Sequence, residues 1–246
     1  MEGLDKSLAD FNVQVFESLE STQTYAKQLV QKDPLFKGVI LAHQLKGAYG
    51  RFGKPFYAPP GGIYMTFVLP DFPVAMSHIT MYIAICYART IKKMTGIDIS
   101  VKWVNDLFIN RKKIAGILTE LVQINNQPVY IIGVGLNFHN EKANIPDDLQ
   151  NIITALYMDA EPTITKDQLT VELINIIMLN THMTNDQILL EYKKSLFILG
   201  EKIQVVNGDI SYMATAIDLD NMGHLILQDE NGDQKTMIAG EISIRI

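Results

Sequence analysis

The segment that decides the fold is residues 101–107, Val-Lys-Trp-Val-Asn-Asp-Leu, together with residues 112–118, Lys-Lys-Ile-Ala-Gly-Ile-Leu. Apolar residues typical of strands recur in both runs and a short polar turn at 110–112 separates them, so the pattern predicts a hairpin. Four polar residues lie inside or beside this nearly continuous apolar sequence: Lys102, Asn105, Asp106 and Lys113. Buried polar groups need partners. The segment alone is equally consistent with a salt-bridged structural hairpin and with a binding site for a ligand that has a negative and a polar end.

The composition indicates an ordinary globular protein. The chain has 246 residues, of which 48% are hydrophobic and 20% are charged, which is enough for one large domain and one small one. The formal net charge is −6, so no overall basic field attracts nucleic acid or an anionic membrane. We therefore expect neither as a partner, although a local positive pocket is compatible with this charge.

The single cysteine and the longest apolar segment bear on the compartment. Cys86 cannot form an internal disulfide and no signal peptide is evident, which favours a reducing, cytoplasmic setting. A buried structural thiol is a simpler interpretation of Cys86 than a nucleophile. Residues 74–94 have helical spacing that closes at Gly96, and polar residues interrupt them, which predicts a core helix rather than a membrane span.

Two regimes follow one another along the chain and predict domains at 1–198 and 199–246. In the first, helical patterns alternate with strand-like runs, which is typical of an α+β domain, here with a meander of antiparallel strands. Its predicted strands are 38–42, 62–69, 101–109, 113–122 and 129–138. Its predicted helices are 22–31, capped by Ser21, and 74–94, 166–181 and 185–196. After Gly200, short alternating runs with Asn-Gly turns predict a small β-barrel; they are 202–206, 212–218, 224–228, 235–238 and 241–246.

Residues 47–56, Gly-Ala-Tyr-Gly-Arg-Phe-Gly-Lys-Pro-Phe, are rich in glycine and aromatic residues and are basic. Glycines let backbone N–H groups approach an anion, and Arg51 supplies a planar, permanently charged donor for phosphate or carboxylate. The segment is not a Walker loop, because the Gly-Lys-Ser/Thr ending is absent. A mobile surface loop is the alternative interpretation.

Residues 133–138, Gly-Val-Gly-Leu-Asn-Phe, end a long apolar strand. Small residues at alternate positions leave space on one face, either for a ligand or for a closely packed neighbouring backbone. The motif is weak evidence for a dinucleotide site, because the third glycine and the following helix are missing. Asn137 could contact a polar ligand or cap the next turn. The five histidines show no metal-ligand spacing.

Six ordered motifs together resemble the biotin–protein ligases, which activate biotin with ATP and attach it to a carrier lysine. They are Ser21-Thr22-Gln23, Gly50-Arg51-Phe52-Gly53 with Ala58-Pro59, Lys102-Trp103-Val104-Asn105-Asp106, the run from Lys113 to Glu120, Gly133 to Asn137, and Gly240 to Arg245. The resemblance implies a mixed, mainly antiparallel sheet flanked by helices, as in class II synthetases, plus a small C-terminal SH3-like β-barrel. About twenty residues precede the first predicted helix, so we expect the form of the family without an N-terminal DNA-binding domain.

Four positions depart from the family pattern. Val104 takes the place of a proline, and Phe56 takes the place of a common tryptophan. Tyr49 stands where the family has the first arginine of its glycine-rich loop, which leaves Arg51 as the strong cation there. Gln44 is the best match to the family's loop-entry glutamine, with an apparent one-residue insertion before Gly50.

The resemblance also implies a two-step reaction with assigned residues. The catalytic residues would be Lys113, Arg51 and Asp106: Lys113 and Arg51 would hold the biotin carboxylate and the α-phosphate, and Asp106 would orient or deprotonate the carrier amine. Biotin would contact Ser21, Thr22, Gln44, Gly50, Arg51, Lys113, Gly116 and Gly135. The nucleotide would contact Arg51, Phe56, Lys102, Asn105, Asp106, Asn137 and Arg245. Mg²⁺ would be held mainly by substrate oxygens and water, with no metal site in the protein itself.

The implied partner is a biotin carboxyl carrier domain, for example that of acetyl-CoA carboxylase, and a homodimer is an open possibility. Two alternatives remain at this point. A lipoate–protein ligase-like acyl transferase would share the architecture and the lysine. A binding protein that senses biotin without catalysis would share the site, although a net charge of −6 argues against a DNA-binding role.

Overall fold

A mixed sheet of seven strands forms the centre of the larger domain in the computed structural model, which describes residues 3–207, 210–238 and 241–243. In chain order the strands are β1 Asn12–Leu19, β2 Gly38–Leu45, β3 Ile63–Pro70, β4 Ser100–Lys102, β5 Asp106–Ile109, β6 Lys112–Ile124 and β7 Gln127–Leu136. Their order across the sheet is β1-β2-β3-β7-β6-β5-β4. β1 and β2 are parallel and the other neighbouring pairs are antiparallel. The predicted mixed, mainly antiparallel sheet is therefore confirmed.

Four helices cover the two faces of this sheet: α1 Thr22–Lys32, α2 Ile79–Thr95, α3 Lys166–Leu179 and α4 Asn185–Ser195. On one face, Ala26 and Val30 of α1 pack against Ile40, Val68 and Ile131. Alternate residues of the same strands point to the opposite face, where they form a larger core with α2, α3 and α4. A short parallel pair, β8 His139–Asn140 and β9 Tyr157–Met158, follows the sheet.

The predicted helices agree with the structure apart from their ends. Ser21 caps α1, and its side chain accepts a hydrogen bond from the Thr24 backbone N–H. Gly96 ends α2 with φ of 76°, as its position predicts. α2 begins at Ile79 rather than at 74, because the residues before it form turns. Cys86 is fully buried in α2 and burial raises the pKa of its thiol to about 12, which agrees with a structural role.

The predicted turns of the central hairpins are confirmed. Asn110 and Arg111, with φ of 47° and 62°, join β5 to β6, and Asn125 and Asn126, with φ of 50° and 62°, join β6 to β7. Two successive residues with positive φ match the twist of antiparallel strands. β1 is not predicted from the sequence; its partner in the sheet, β2, follows only after α1.

The predicted strand 101–109 is divided in two, and this expectation was wrong in detail. β4 and β5 form a tight hairpin in which Lys102 pairs with Asp106. The turn between them is held by tertiary contacts: Trp103 Nε1 donates to the Gly223 carbonyl at 2.9 Å, and Tyr192 Oη donates to the Val104 carbonyl at 2.8 Å. Local strand propensity does not reveal partners that lie this far away in the chain.

The C-terminal strands form a separate antiparallel sheet. They are β10 Lys202–Asn207, β11 Ile210–Leu219, β12 Leu225–Gln228, β13 Gln234–Met237 and β14 Glu241–Ser243, in the order β13-β12-β11-β10-β14. The predicted small β domain is confirmed, its open pairing among the described residues is compatible with an SH3-like barrel, and its boundary at 198 stays a prediction. Lys193 Nζ of α4 lies 2.7 Å from Asp218 Oδ1 of β11, and this ion pair connects the larger domain to the C-terminal sheet. In the described ranges, no helix is long and apolar enough to cross a membrane.

Candidate active site

Three glycines leave the α1 face of the sheet bare beside the N-terminus of α1. Gly116 of β6 pairs directly with Gly135 of β7, and Gly133 pairs with Thr66 of β3. Ile131, Gly133 and Gly135 occupy every second position of β7, so they face the same side of the sheet. Ile131 packs against α1, which identifies that side as the α1 face. A cavity of about 350 Å³ lies over this patch. The prediction that small residues open one face of the strand is confirmed.

Side chains stand directly over the glycines. A Cβ atom on Gly135 would lie 2.5 Å from the Phe56 ring, and one on Gly133 would lie 2.6 Å from Gln23 Oε1. A Cβ atom at either position would force Phe56 or Gln23 to shift. The present arrangement of these two side chains therefore depends on glycine at both positions.

The glycine-rich loop forms the side of the cavity as a small hairpin. The Phe56 N–H donates to the Ala48 carbonyl at 3.0 Å, and the Gly50 N–H donates to the Lys54 carbonyl at 2.8 Å. This hairpin directs Arg51 across the cavity, where its guanidinium lies 3.4 Å from Asn105 Oδ1. The loop is thus folded against the site and is not a separate surface segment.

Lys113 and Asp106 form an ion pair at one end of the cavity. Lys113 Nζ lies 2.7 Å from Asp106 Oδ1, and both side chains are about three-quarters buried or more. In a regular strand Lys113 and Gly116 would face opposite sides, because they are three residues apart. A bulge between the Leu107 and Phe108 pairs shifts the register of β6, and this shift brings Lys113 to the glycine face.

Hydroxyl and amide groups form the other end. Thr22 Oγ1 and Thr66 Oγ1 lie 2.9 Å apart and share a hydrogen bond, and the buried Gln23 extends from the first turn of α1 to the sheet. Ser21 lies beside them at the start of the helix. The cavity therefore has a polar end, a floor of glycine backbone that the Phe56 ring partly covers, and a cationic end, which suits an elongated ligand that carries an anionic group.

Most of the predicted site residues line this one cavity: Ser21, Thr22, Gly50, Arg51, Phe56, Lys102, Asn105, Asp106, Lys113, Gly116 and Gly135. The further lining residues include Gln23, Tyr64, Thr66, Trp103 and Gly133, which were not assigned roles from sequence. Gln23 and Trp103 belong to motifs quoted above, so their motif positions were an available signal. Tyr64 and Thr66 carry no such signal, because only the register of β3 brings them to the site.

Two of the predicted residues do not line the cavity in the described structure. Gln44 is exposed near the end of β2, while its neighbour Leu45 lines the cavity, so the contact of Gln44 with biotin stays a prediction. Asn137 is buried, and its Nδ2 donates to the Thr154 carbonyl at 3.0 Å, so it anchors the end of β7 instead. Arg245 lies outside the described residues.

Comparison with known proteins agrees with this architecture. Residues 15–137 match the Biotin/lipoate A/B protein ligase family, and residues 198–245 match the Biotin protein ligase C terminal domain. The bifunctional ligase/repressor BirA of Bacillus subtilis is 27% identical over 231 residues, covering 88% of this chain and 69% of that protein. A biotin–[acetyl-CoA-carboxylase] ligase of Mycobacterium tuberculosis is 25% identical over 146 residues, covering 59% of this chain and 53% of that protein.

The same fold is found in solved structures. The biotin protein ligase from Aquifex aeolicus in complex with biotin and ATP superimposes with a TM-score of 0.80 at 21% identity, covering 95% of this chain and 98% of that one. At 21% identity, the structural similarity shows only that the fold is shared. The family is shown by the sequence match of residues 15–137, which make up half of the chain. This chain belongs to the biotin/lipoate A/B protein ligase family.

Proposed function

We propose that this protein is a biotin–protein ligase that activates biotin with ATP to biotinyl-5′-AMP and transfers the biotin to a lysine of a biotin carboxyl carrier domain. The observation that carries the proposal is the single cavity in which a bare glycine floor lies between a hydroxyl-rich end and the Lys113–Arg51 end. The names of the related proteins and the C-terminal domain match support biotin as the acid.

Biotin fits the cavity in one direction. Its ureido head would meet Ser21 and Thr22, and its carboxylate would extend towards Lys113. Its apolar rings would lie over Gly116 and Gly135, where they would displace the Phe56 ring. A contact with Gln44 stays a prediction, because that side chain is exposed near the end of β2. Most of the binding free energy would come from burial of the rings, and the polar ends would set orientation.

In the first step a biotin carboxylate oxygen attacks the α-phosphorus of ATP. The new P–O bond forms as the bond to pyrophosphate breaks, and the negative charge on the α-phosphoryl oxygens must be stabilised. Lys113 would lie between the carboxylate and the α-phosphate, and Arg51 would reach both groups from the loop. Lys102, Asn105 and Phe56 line the same end and would contact the nucleotide.

Mg²⁺, when bound with ATP, would neutralise the β- and γ-phosphates. The described residues contain no group of three His, Cys, Asp or Glu side chains that could hold a metal ion. We expect the ion to be held mainly by phosphate oxygens and water. Arg245 stays a predicted nucleotide contact.

In the second step the neutral amine of the carrier lysine attacks the biotinyl carbonyl carbon. The new C–N bond forms, the C–O bond to AMP breaks, and the amine loses a proton. Asp106 is the carboxylate at the cavity, which places a proton acceptor beside the cationic end.

The first experiment is biotin-dependent exchange of labelled pyrophosphate into ATP, with lipoate in a parallel reaction. A ligase acting on biotin gives exchange with biotin and little with lipoate. Faster exchange with lipoate would assign the chain to the lipoate branch of its family. Binding of biotin without any exchange would identify a sensor protein and contradict the proposal.

A further inference from the structure

The carboxamide of Gln23 is held in one orientation at the polar end of the cavity. The residue is only 4% exposed. Its Nε2 donates to Glu120 Oε2 at 2.8 Å and to the Ile131 carbonyl at 3.0 Å, with the Leu118 carbonyl at 3.4 Å. An amide nitrogen has two N–H groups, so these acceptors use both. The opposite orientation would direct the amide oxygen at a carboxylate and two carbonyls.

The amide oxygen consequently faces the cavity as an acceptor. Gln23 Oε1 accepts a hydrogen bond from Thr66 Oγ1 at 3.3 Å. The same oxygen lies over Gly133, only 2.6 Å from the position that a Cβ atom on that glycine would take. An amide oxygen accepts two hydrogen bonds, so one lone pair is left for a ligand N–H.

Lys27 holds the carboxylate that fixes this amide. Its Nζ lies 3.0 Å from Glu120 and 5.5 Å from the centre of the Tyr49 ring. Burial lowers the pKa of Lys27, but hydrogen bonds with Tyr49 and Glu120 outweigh it and raise the pKa overall. Lys27 therefore stays charged and neutralises Glu120 beside the cavity.

We propose that Glu120, held by Lys27, is a positioning residue that fixes Gln23 as the acceptor for a ureido N–H of biotin and so sets selectivity for that N–H. The inference rests on the proposed function, since it assumes that the ureido head lies at this end. A ligand that carries an oxygen in place of this N–H would bring its oxygen against Gln23 Oε1. Two acceptors would then face each other, and neither would have a hydrogen-bond donor.

The test uses the full chain with biotin and the two cyclic carbamate analogues in which one ureido N–H is replaced by oxygen. The kcat/KM for each acid is measured by pyrophosphate exchange. The wild type should prefer biotin over at least one analogue by roughly 10²-fold or more. Glu120→Gln keeps the shape of the side chain, but Lys27 would hold its oxygen and turn its NH₂ group towards Gln23. The preference for biotin should then fall about tenfold, mainly through KM.

Glu172→Gln is the matched control, because the exposed fraction of Glu172 is similar to that of Glu120. Glu172 Oε1 pairs with Lys93 Nζ at a distance of 2.7 Å, and neither residue lines the cavity. It should leave the preference unchanged. Glu120→Ala is the second variant, with a smaller loss of preference expected, and melting curves establish that each variant is folded. A general loss of packing would lower kcat/KM for all acids equally. An unchanged preference in both Glu120 variants would overturn the positioning role while leaving wild-type exchange with biotin, and so the proposed function, intact.

Discussion

Lys113 Nζ and Asp106 Oδ1 lie 2.7 Å apart on neighbouring strands of the sheet. The bulge in β6 makes this contact possible, because it turns Lys113 to the face on which Asp106 and Gly116 lie. No hydrogen-bond donor among the described residues is aligned with Asp106 Oδ1. The pair is therefore an electrostatic contact whose lysine can be shared with an arriving anion, and the first two predictions follow from it.

Replacing Lys113 should impair adenylate formation. Lys113→Ala removes the cation from the cavity end and leaves Asp106 without its partner, so we expect pyrophosphate exchange to fall by about 10²-fold or more. Lys93→Ala is a suitable control, since that lysine also pairs with a carboxylate at 2.7 Å but lies outside the cavity. Exchange at the wild-type rate in Lys113→Ala would remove Lys113 from the mechanism.

Replacing Asp106 should separate the two steps. Asp106→Asn keeps the shape but removes the proton acceptor, so we expect transfer from preformed biotinyl-5′-AMP to a carrier to slow by roughly 10²-fold. Exchange should fall by less, because Lys113 is retained. Single-turnover transfer and exchange are measured on the same preparation, and equal losses in both would contradict the assignment of Asp106 to the second step.

The glycine floor should be intolerant of a methyl group. In Gly135→Ala the new Cβ would meet Phe56 at 2.5 Å and would fill the space proposed for the biotin rings. Calorimetric titration without ATP should show biotin binding weakened by about tenfold or more, as expected for a lost ring contact.

The double variant Gly135→Ala with Phe56→Ala distinguishes the two causes. It relieves the clash with the ring but leaves the methyl group on the floor, so binding should stay weak. Recovery of wild-type binding would show that biotin does not lie on Gly135.

Cys86 should be inert in the folded protein. Burial raises the pKa of its thiol to about 12, against about 8.5 for a free thiol. The folded protein therefore keeps the thiol protonated where the unfolded chain ionises it, and this term lowers stability as the pH rises above about 8.5. Iodoacetamide at pH 8.5 should leave both Cys86 and exchange activity unchanged until guanidinium unfolds the chain. Rapid labelling with loss of activity would contradict the structural role.

Local chemistry predicted much of this molecule. Ser21 marked the start of α1, Gly96 marked the end of α2, and the Asn110–Arg111 turn marked the central hairpin. Each depends on neighbouring residues, so sequence carries the signal. The division at Trp103 depends on Gly223 in the small domain, more than a hundred residues away, and no local pattern contains it.

The site shows the same distinction. Charged residues inside apolar sequence pointed to Lys113 and Asp106, whereas the motif position of Gln44 did not reveal that β2 leaves this side chain exposed. Gln23 had only its motif position as a signal, and its contacts follow from the sheet, which brings Glu120 and Ile131 to its amide. Register across distant strands decides such contacts, and it is set by the whole sheet.

The most direct test of the ligase function is transfer of biotin to a purified apo-carrier domain in the presence of biotin, ATP and Mg²⁺. Mass spectrometry should show the addition of one biotinyl group to a single carrier lysine, dependent on both ATP and this protein, and Lys113→Ala should reduce the rate by about 10²-fold or more. A carrier that stays unmodified with the wild-type protein, under conditions in which a known biotin ligase modifies it fully, would contradict the ligase function.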